Sequence, residues 1–144
     1  MPPLYRLDHV QKAYDGRVVL DVDELAVNRG EVLALVGPSG SGKSTLLRLL
    51  NFLEPPTAGA LSFDGQAVTA EPPLAQRRRV TAVFQRPALL RRSVAANIGY
   101  GLGLRGQKLP PDALAGWLDR LGLSPLARQS APRRAPQAGL PAQQ

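Results

Sequence analysis

Apolar and polar residues alternate near the start of the chain. Tyr5, Leu7 and His9 interleave with Arg6, Asp8 and Val10, which predicts a strand over 4–12. Val18 to Val27 (VVLDVDELAV) repeats the alternation with acids on the polar face, and Asn28-Arg29-Gly30 closes it as a turn. Glu31 to Val36 (EVLALV) is almost continuously apolar, the pattern of a strand buried on both faces. The period then changes: Leu46, Leu49, Leu50 and Leu53 fall at i, i+3, i+4 and i+7, an amphipathic helix that Pro55-Pro56 brings to an end. A short strand at 60–63 (ALSF) turns at Asp64-Gly65, and Val80 to Phe84 (VTAVF) predicts another. Ser93 suits the N-cap of a helix running to Tyr100. A second helix, Asp112 to Leu121, is expected to be capped by Asp112 and stopped at Gly122, with Leu114, Trp117, Leu118 and Leu121 on one face. Trp117 then reads as a packing residue.

Composition changes this picture at the far end. Residues 125–144 (PLARQSAPRRAPQAGLPAQQ) hold four prolines, no acid and no aromatic, so they bury too little apolar surface to offset their ordering entropy. The expected organisation is an ordered region over 1–124 and a disordered Pro/Arg/Gln-rich tail over 125–144. Charge is divided as unevenly: residues 1–76 carry 6 Lys/Arg against 9 Asp/Glu, a balance of −3, and residues 77–144 carry 12 against 2, a balance of +10. No aromatic residues are interleaved with these arginines as a nucleic-acid platform requires, so they read as a solvated surface with no direct nucleic-acid contact expected. The chain has no cysteine, which removes disulfides and thiolate metal sites. No apolar run is long enough to span a bilayer and the first residues (MPPLYRLDHV) lack a signal-peptide core, so the protein is expected in the cytoplasm, or held at a membrane by a partner.

The chemistry is concentrated between the apolar run and the first helix. Gly37-Pro38-Ser39-Gly40-Ser41-Gly42-Lys43-Ser44-Thr45 satisfies the pattern G-x-x-x-x-G-K-[ST] in the strand-to-helix context that gives the pattern its meaning. Gly40 and Gly42 let the backbone curl so that successive N–H groups face phosphate oxygens, and the helix opening near Lys43 adds the positive end of its dipole. In this reading Lys43 reaches the β- and γ-phosphates, the Ser44 hydroxyl is a ligand of Mg²⁺, and Thr45 bonds the neighbouring phosphate.

The surrounding residues resemble those of the ABC-type ATPases over roughly residues 4–124. Positions 37–47 (GPSGSGKSTLL) match that family's form of the loop, and Asn51 to Gly59 (NFLEPPTAG) matches the stretch that follows it. The resemblance implies that Tyr14, in Lys12-Ala13-Tyr14-Asp15-Gly16, stacks on the adenine of ATP, and that Gln85, in Val83-Phe84-Gln85-Arg86-Pro87, is the Q-loop glutamine, contacting Mg²⁺ or the attacking water and coupling nucleotide state to a membrane partner. The implied fold is α/β: a P-loop core with an antiparallel front and the beginning of a helical subdomain. The implied partners are a transmembrane permease subunit and a second ATP-binding subunit, with the chain peripheral on the inner face of the cell membrane. Phe84 to Leu90, with Ser93-Val94, Tyr100-Gly101-Leu102 and Arg105-Gly106, is most similar to importers of oxyanions such as tungstate or phosphate.

Three family elements are missing from this sequence: the Leu-Ser-Gly-Gly signature, the apolar strand ending in Asp-Glu, and the switch histidine, since the only histidine, His9, precedes the loop. A truncated or frame-shifted gene product is the expectation this raises, with ATP hydrolysis slowed by orders of magnitude because phosphoryl transfer depends on several parts acting together. The alternatives are a non-catalytic remnant that binds nucleotide weakly and an ABC-class ATPase acting on nucleic acid. The missing central strands are expected to leave sheet edges and apolar helix faces uncovered, and hence to give low solubility.

Overall fold

The computed structural model describes residues 2–84 and 89–130. The chain forms two compact units, Met1–Val83 and Phe84–Gln144. In the first, β1 (Tyr5–Tyr14) and β2 (Arg17–Val27) form a long hairpin. The loop and helix α1 (Lys43–Leu50) follow, then β3 (Ala58–Phe63), β4 (Gln66–Ala67) and a single turn of helix, α2 (Leu74–Arg77). The four strands make an antiparallel sheet in the order β2-β1-β3-β4. Its inner face carries Leu7, Val10, Leu20 and Leu61, and Leu46 and Leu49 of α1 close over them. Burying each of those helix leucines contributes about 2 kcal/mol.

Strict alternation would put Leu7 and Val10 on opposite faces, yet both are fully buried. At His9 the backbone turns left-handed, φ 47°, and the register against β3 slips between Asp8 and Gln11. This bulge returns β1 to the core side one residue late, and β2 follows, because Leu7 pairs with Leu25 and Val10 with Val22. Gly59 makes the bulge possible. A Cβ on it would lie 2.1 Å from the His9 carbonyl oxygen, at a φ of 83° that side chains rarely adopt. His9 is structural, as expected, but through its backbone; its imidazole is solvent-exposed, with Nδ1 4.0 Å from Asp23.

α1 ends earlier than its leucine spacing predicts. Asn51 is the C-cap, Phe52 adopts φ 55°, and the N–H groups of Phe52 and Leu53 donate to the carbonyls of Leu49 and Arg48. This is a Schellman ending with phenylalanine where glycine is usual. The strain is offset by burial: Phe52 packs with Tyr5 and Phe63, ring centroids 6.3 and 5.4 Å away, and the Tyr5 hydroxyl donates to the Leu50 carbonyl at 3.0 Å. Leu53 is left exposed.

The run 31–36, expected to be a buried strand, and the run 80–84, expected to be another strand, are not strands. Residues 31–36 and 80–84 form no ladder, and Val32, Val36 and Val83 are 95%, 93% and 97% exposed. A strand exists only through hydrogen-bonded neighbours, and the described residues supply none for either run. Leu35 alone of the first run packs against the core.

Asp64-Gly65 makes the expected hairpin turn, with φ 53° and 74°. The Asp64 carboxylate accepts from both Arg79 and Arg29, and the Arg79 guanidinium also lies 4.9 Å from the centre of the Phe63 ring. The arginines at 77–79 are therefore not only a solvated edge; Arg79 ties the segment after α2 to the end of the sheet.

In the second unit, α3 (Val94–Ile98) and α4 (Tyr100–Gly103) follow one another, and α5 (Pro111–Arg120) leads to a 3₁₀ turn at Ser124–Leu126. Ser93 caps α3 as expected, its Oγ accepting from Ala96 N at 3.2 Å. The amides of Val94 and Ala95 donate to Gln129 and Ala127, and Asn97 holds the preceding loop through four bonds to Leu90, Arg92 and Ser93. Of the stretch 125–144 expected to be disordered, residues 125–130 take part in this hydrogen-bonded structure, and 131–144 lie outside the described residues. α5 is capped not by Asp112 but by Pro110, with Pro111 at its first position, where a missing N–H costs nothing; Asp112 complements the dipole one residue later. Of its apolar face only Leu118 is buried, and Trp117 is half exposed with Arg120 over its ring at 5.7 Å, so its packing is to a neighbouring arginine.

The arginine pair holds the Asp64 carboxyl below its ordinary pKa, chiefly through the hydrogen bonds from Arg79 and then Arg29. Its stabilising effect is therefore complete above the ordinary carboxylate range and lost as pH falls through the lowered value. Asp64→Asn, which retains the turn conformation, is expected to lower the urea midpoint at neutral pH, with the gap to the parent closing under acid; a gap unchanged by pH would contradict this.

Candidate functional site

The loop predicted to hold phosphate is bounded by parts of the structure described above. Its far end is the first turn of α1, whose N-cap is Gly42 at φ 83°, with no side chain bonded to the helix amides. The first-turn N–H groups of a helix have no carbonyl partners within it, so a glycine cap leaves them available to a ligand. The near end folds back through a hydrogen bond from Ser41 N to the Pro38 carbonyl, 3.3 Å. A pocket of about 310 Å³ lies over residues 39–45, with Val19 forming its remaining wall. Seven of the nine residues from 37 to 45 therefore meet at one site: Ser39, Gly40, Ser41, Gly42, Lys43, Ser44 and Thr45.

The two inner glycines do different work. Both are left-handed, at 84° and 83°. A Cβ on Gly40 would meet nothing within 4 Å, whereas one on Gly42 would stand 2.8 Å from the Val19 carbonyl oxygen and 3.1 Å from Leu20. Gly40 faces open space; Gly42 is where the loop is pressed onto β2. Val19 is the extra residue of a second bulge, since Lys12 pairs with Leu20 but Ala13 with Val18. Nothing in the amino-acid pattern singles out Val19, because its part is played by its backbone. Gly37 is tight as well: a Cβ there would be 2.8 Å from Ser41 Oγ.

Lys43 curls over the loop. Its ammonium donates to the carbonyls of Gly37 at 2.7 Å and Pro38 at 2.6 Å and to Ser41 Oγ at 3.1 Å, so the positive charge is fixed at the pocket by the loop itself. Ser44 and Thr45, the second and third residues of α1, line the same pocket. Among the described residues no three His, Cys, Asp or Glu side chains gather as a metal site. Ser44 offers one hydroxyl, which suits a Mg²⁺ ion that takes its other ligands from phosphate and water.

Tyr14 is not part of the pocket wall. It ends β1, opposite Arg17, on the hairpin whose returning strand reaches the loop at Val19. Its hydroxyl donates to Glu54 Oε1 at 2.6 Å, and Lys12 Nζ lies 5.3 Å from its ring centre. Lys12 and Glu54 escaped the sequence reading as contacts of Tyr14, although Lys12 shares its strand face two residues earlier. Gln85 lies outside the described residues.

The family model for ABC transporters matches residues 20–138, most of the chain, with the loop and α1 inside the match. The chain belongs to the ABC transporter family. Among its relatives, the aliphatic sulfonates import ATP-binding protein of Burkholderia cenocepacia is 43% identical over 129 residues, covering 89% of this chain and 45% of the relative. The phosphate import ATP-binding protein of Natronomonas pharaonis is 39% identical over 136 residues, covering 85% and 48%. Among solved structures, cbiO1 of Clostridium perfringens, part of the ABC transporter complex cbiONQ, superposes with a TM-score of 0.70 at 27% identity over 90% of this chain and 55% of that one. The chain spans about half the length of these relatives. Both matches support the α/β P-loop fold expected from the sequence. In this ABC family member the antiparallel front, the loop and α1 are formed, and no helix among the described residues is long and apolar enough to cross a membrane.

The two glycines separate backbone strain from contact. Gly40→Ala is expected to cost about 1 kcal/mol, the price of a left-handed alanine alone, and Gly42→Ala distinctly more, because the strand carbonyl must also move. Urea denaturation of the two variants checks this; equal losses would show that the Val19 approach does not hold the loop.

Proposed function

We propose that this chain is the ATP-binding part of an ABC importer and that it holds Mg·ATP by the triphosphate in the loop Gly37–Thr45. The observation that carries the reading is the open pocket over residues 39–45, headed by an uncapped helix N-terminus with the Lys43 ammonium fixed beside it. Amide N–H groups, a helix dipole and an ammonium together select a dense anion. Family membership narrows that anion to the phosphates of ATP.

The residues divide the work. The backbone around Gly37, Ser39, Gly40, Ser41 and Gly42 wraps the β-phosphate, and Lys43 exchanges loop carbonyls for β- and γ-oxygens. Thr45 bonds the adjacent phosphate, and Tyr14 stacks on adenine. The Ser44 hydroxyl and Gln85 are the protein's ligands toward Mg²⁺, Gln85 also orienting water. When bound, the ion neutralises charge on the β- and γ-phosphates. Residues 86–144 contain no Asp-Glu pair to polarise the water, so we assign residues 1–144 by themselves binding with negligible turnover. In an assembled importer it would lie against a transmembrane permease on the inner face of the membrane, paired with a second ATP-binding subunit. The oxyanion cargo rests on the stretch from Phe84 to Gly106 alone, since the relatives are named for sulfonate and phosphate import but also for Fe(3+) and spermidine/putrescine import.

Titration of the purified chain with Mg·ATP, alongside Lys43→Ala, tests the reading. Binding is expected in the parent and weaker by roughly 10- to 100-fold in the variant, since a charge-assisted contact to phosphate is lost. Phosphate release is expected to stay at background in both. Equal affinities would overturn the assignment of the loop, and robust turnover would overturn the assignment of an incomplete catalytic set.

A further inference from the structure

We infer that Glu54 is a positioning residue for nucleotide base recognition, holding the Tyr14 ring in place from the far end of the phosphate-loop helix. This rests on the reading of Tyr14 as the adenine-stacking residue.

The geometry is a closed set of contacts. The Tyr14 hydroxyl donates to Glu54 Oε1 at 2.6 Å, and the other carboxylate oxygen, Oε2, lies 3.5 Å from Lys12 Nζ. Lys12 in turn donates to the Pro55 carbonyl at 2.8 Å and stands 5.3 Å from the centre of the Tyr14 ring. The Lys12 and Glu54 side chains are only 12% and 19% exposed, although both carry charge. The same junction is braced by backbone: Thr57 N donates to the Gln11 carbonyl at 2.8 Å, and Thr57 Oγ1 accepts from Ala13 N at 3.0 Å. A tyrosine that merely ended a strand would have no need of such a clamp.

Two consequences follow. A ring fixed at its hydroxyl has lost its rotamer freedom before a base arrives, so stacking does not have to supply that ordering. Lys12 lies over one face of the ring, and Tyr14 is 37% exposed. The clamp also gives α1 a part at both ends: its first turn faces the pocket, and the loop after its last turn carries Glu54.

The test compares Mg·ATP with inorganic tripolyphosphate, which has the phosphates and no base, on the full chain. Tyr14→Ala should weaken ATP and leave tripolyphosphate unchanged; if it changes neither, the adenine-stacking reading fails and the inference falls with it. Given that result, Glu54→Ala should weaken ATP by roughly 5- to 10-fold, the size expected for losing one hydrogen bond of ordinary strength, again with tripolyphosphate unchanged. Tyr14→Phe should show the same loss, and combining it with Glu54→Ala should add nothing further. Glu54→Gln, which keeps an acceptor, should recover most of the affinity. If Tyr14→Ala shifts the ATP preference and Glu54→Ala does not, the clamp has no role in recognition. If Glu54→Ala weakens ATP and tripolyphosphate alike, Glu54 supports the loop as a whole and the inference is overturned.

Discussion

The loop Gly37–Thr45 has its shape because α1 is pinned from below. Leu46 and Leu49 sit in the core formed by Leu7, Val10, Leu20 and Leu61, and this fixes where the helix begins. Gly42, four residues before Leu46 and its carbonyl partner at 2.8 Å, is then pressed against the Val19 carbonyl with no room for a side chain. The loop between Gly37 and Gly42 must close the remaining gap, and it does so through the Ser41–Pro38 turn and the Lys43 ammonium bonded to its carbonyls. The site is thus a product of core packing: were the helix to shift on the sheet, the amides at its head would no longer converge.

The sheet makes its own accommodation to this arrangement. Two bulges, one at His9 and one at Val19, set the inner face of the hairpin and bring it to the loop. The first is possible because Gly59 lets β3 pass within contact of the His9 carbonyl, the second because Gly42 does the same at Val19. Each irregularity in a strand is matched by a glycine on the element facing it, which is why both glycines fall in the motif-bearing stretches 37–47 and 51–59.

Much of this was legible in the residues. The hairpin showed in its alternation, α1 in its leucines and the loop in its glycine and lysine spacing, and Ser93 announced the α3 cap. The departures have physical causes. The bulge at His9 depends on Gly59, some 50 residues away, and no local period reports it. The early end of α1 follows from the aromatic cluster that stabilises Phe52 at a positive φ. The apolar runs at 31–36 and 80–84 announce a need for burial, but burial requires partners, and Val32, Val36 and Val83 remain in solvent among the described residues. At the candidate site, side-chain chemistry was readable and backbone chemistry was not. Lys43 and Ser44 follow from a motif; the Val19 carbonyl and the Glu54 clamp follow only from the fold.

The central claim is that the main-chain amides at the head of α1, with the ammonium beside them, grip the triphosphate. Amide chemical shifts recorded during titration with Mg·ATP test it residue by residue. The account predicts that the N–H resonances from Gly40 to Thr45 move together and saturate, and that tripolyphosphate reproduces the change. Nucleotide-induced shifts that bypass this run while appearing elsewhere in the chain would contradict it.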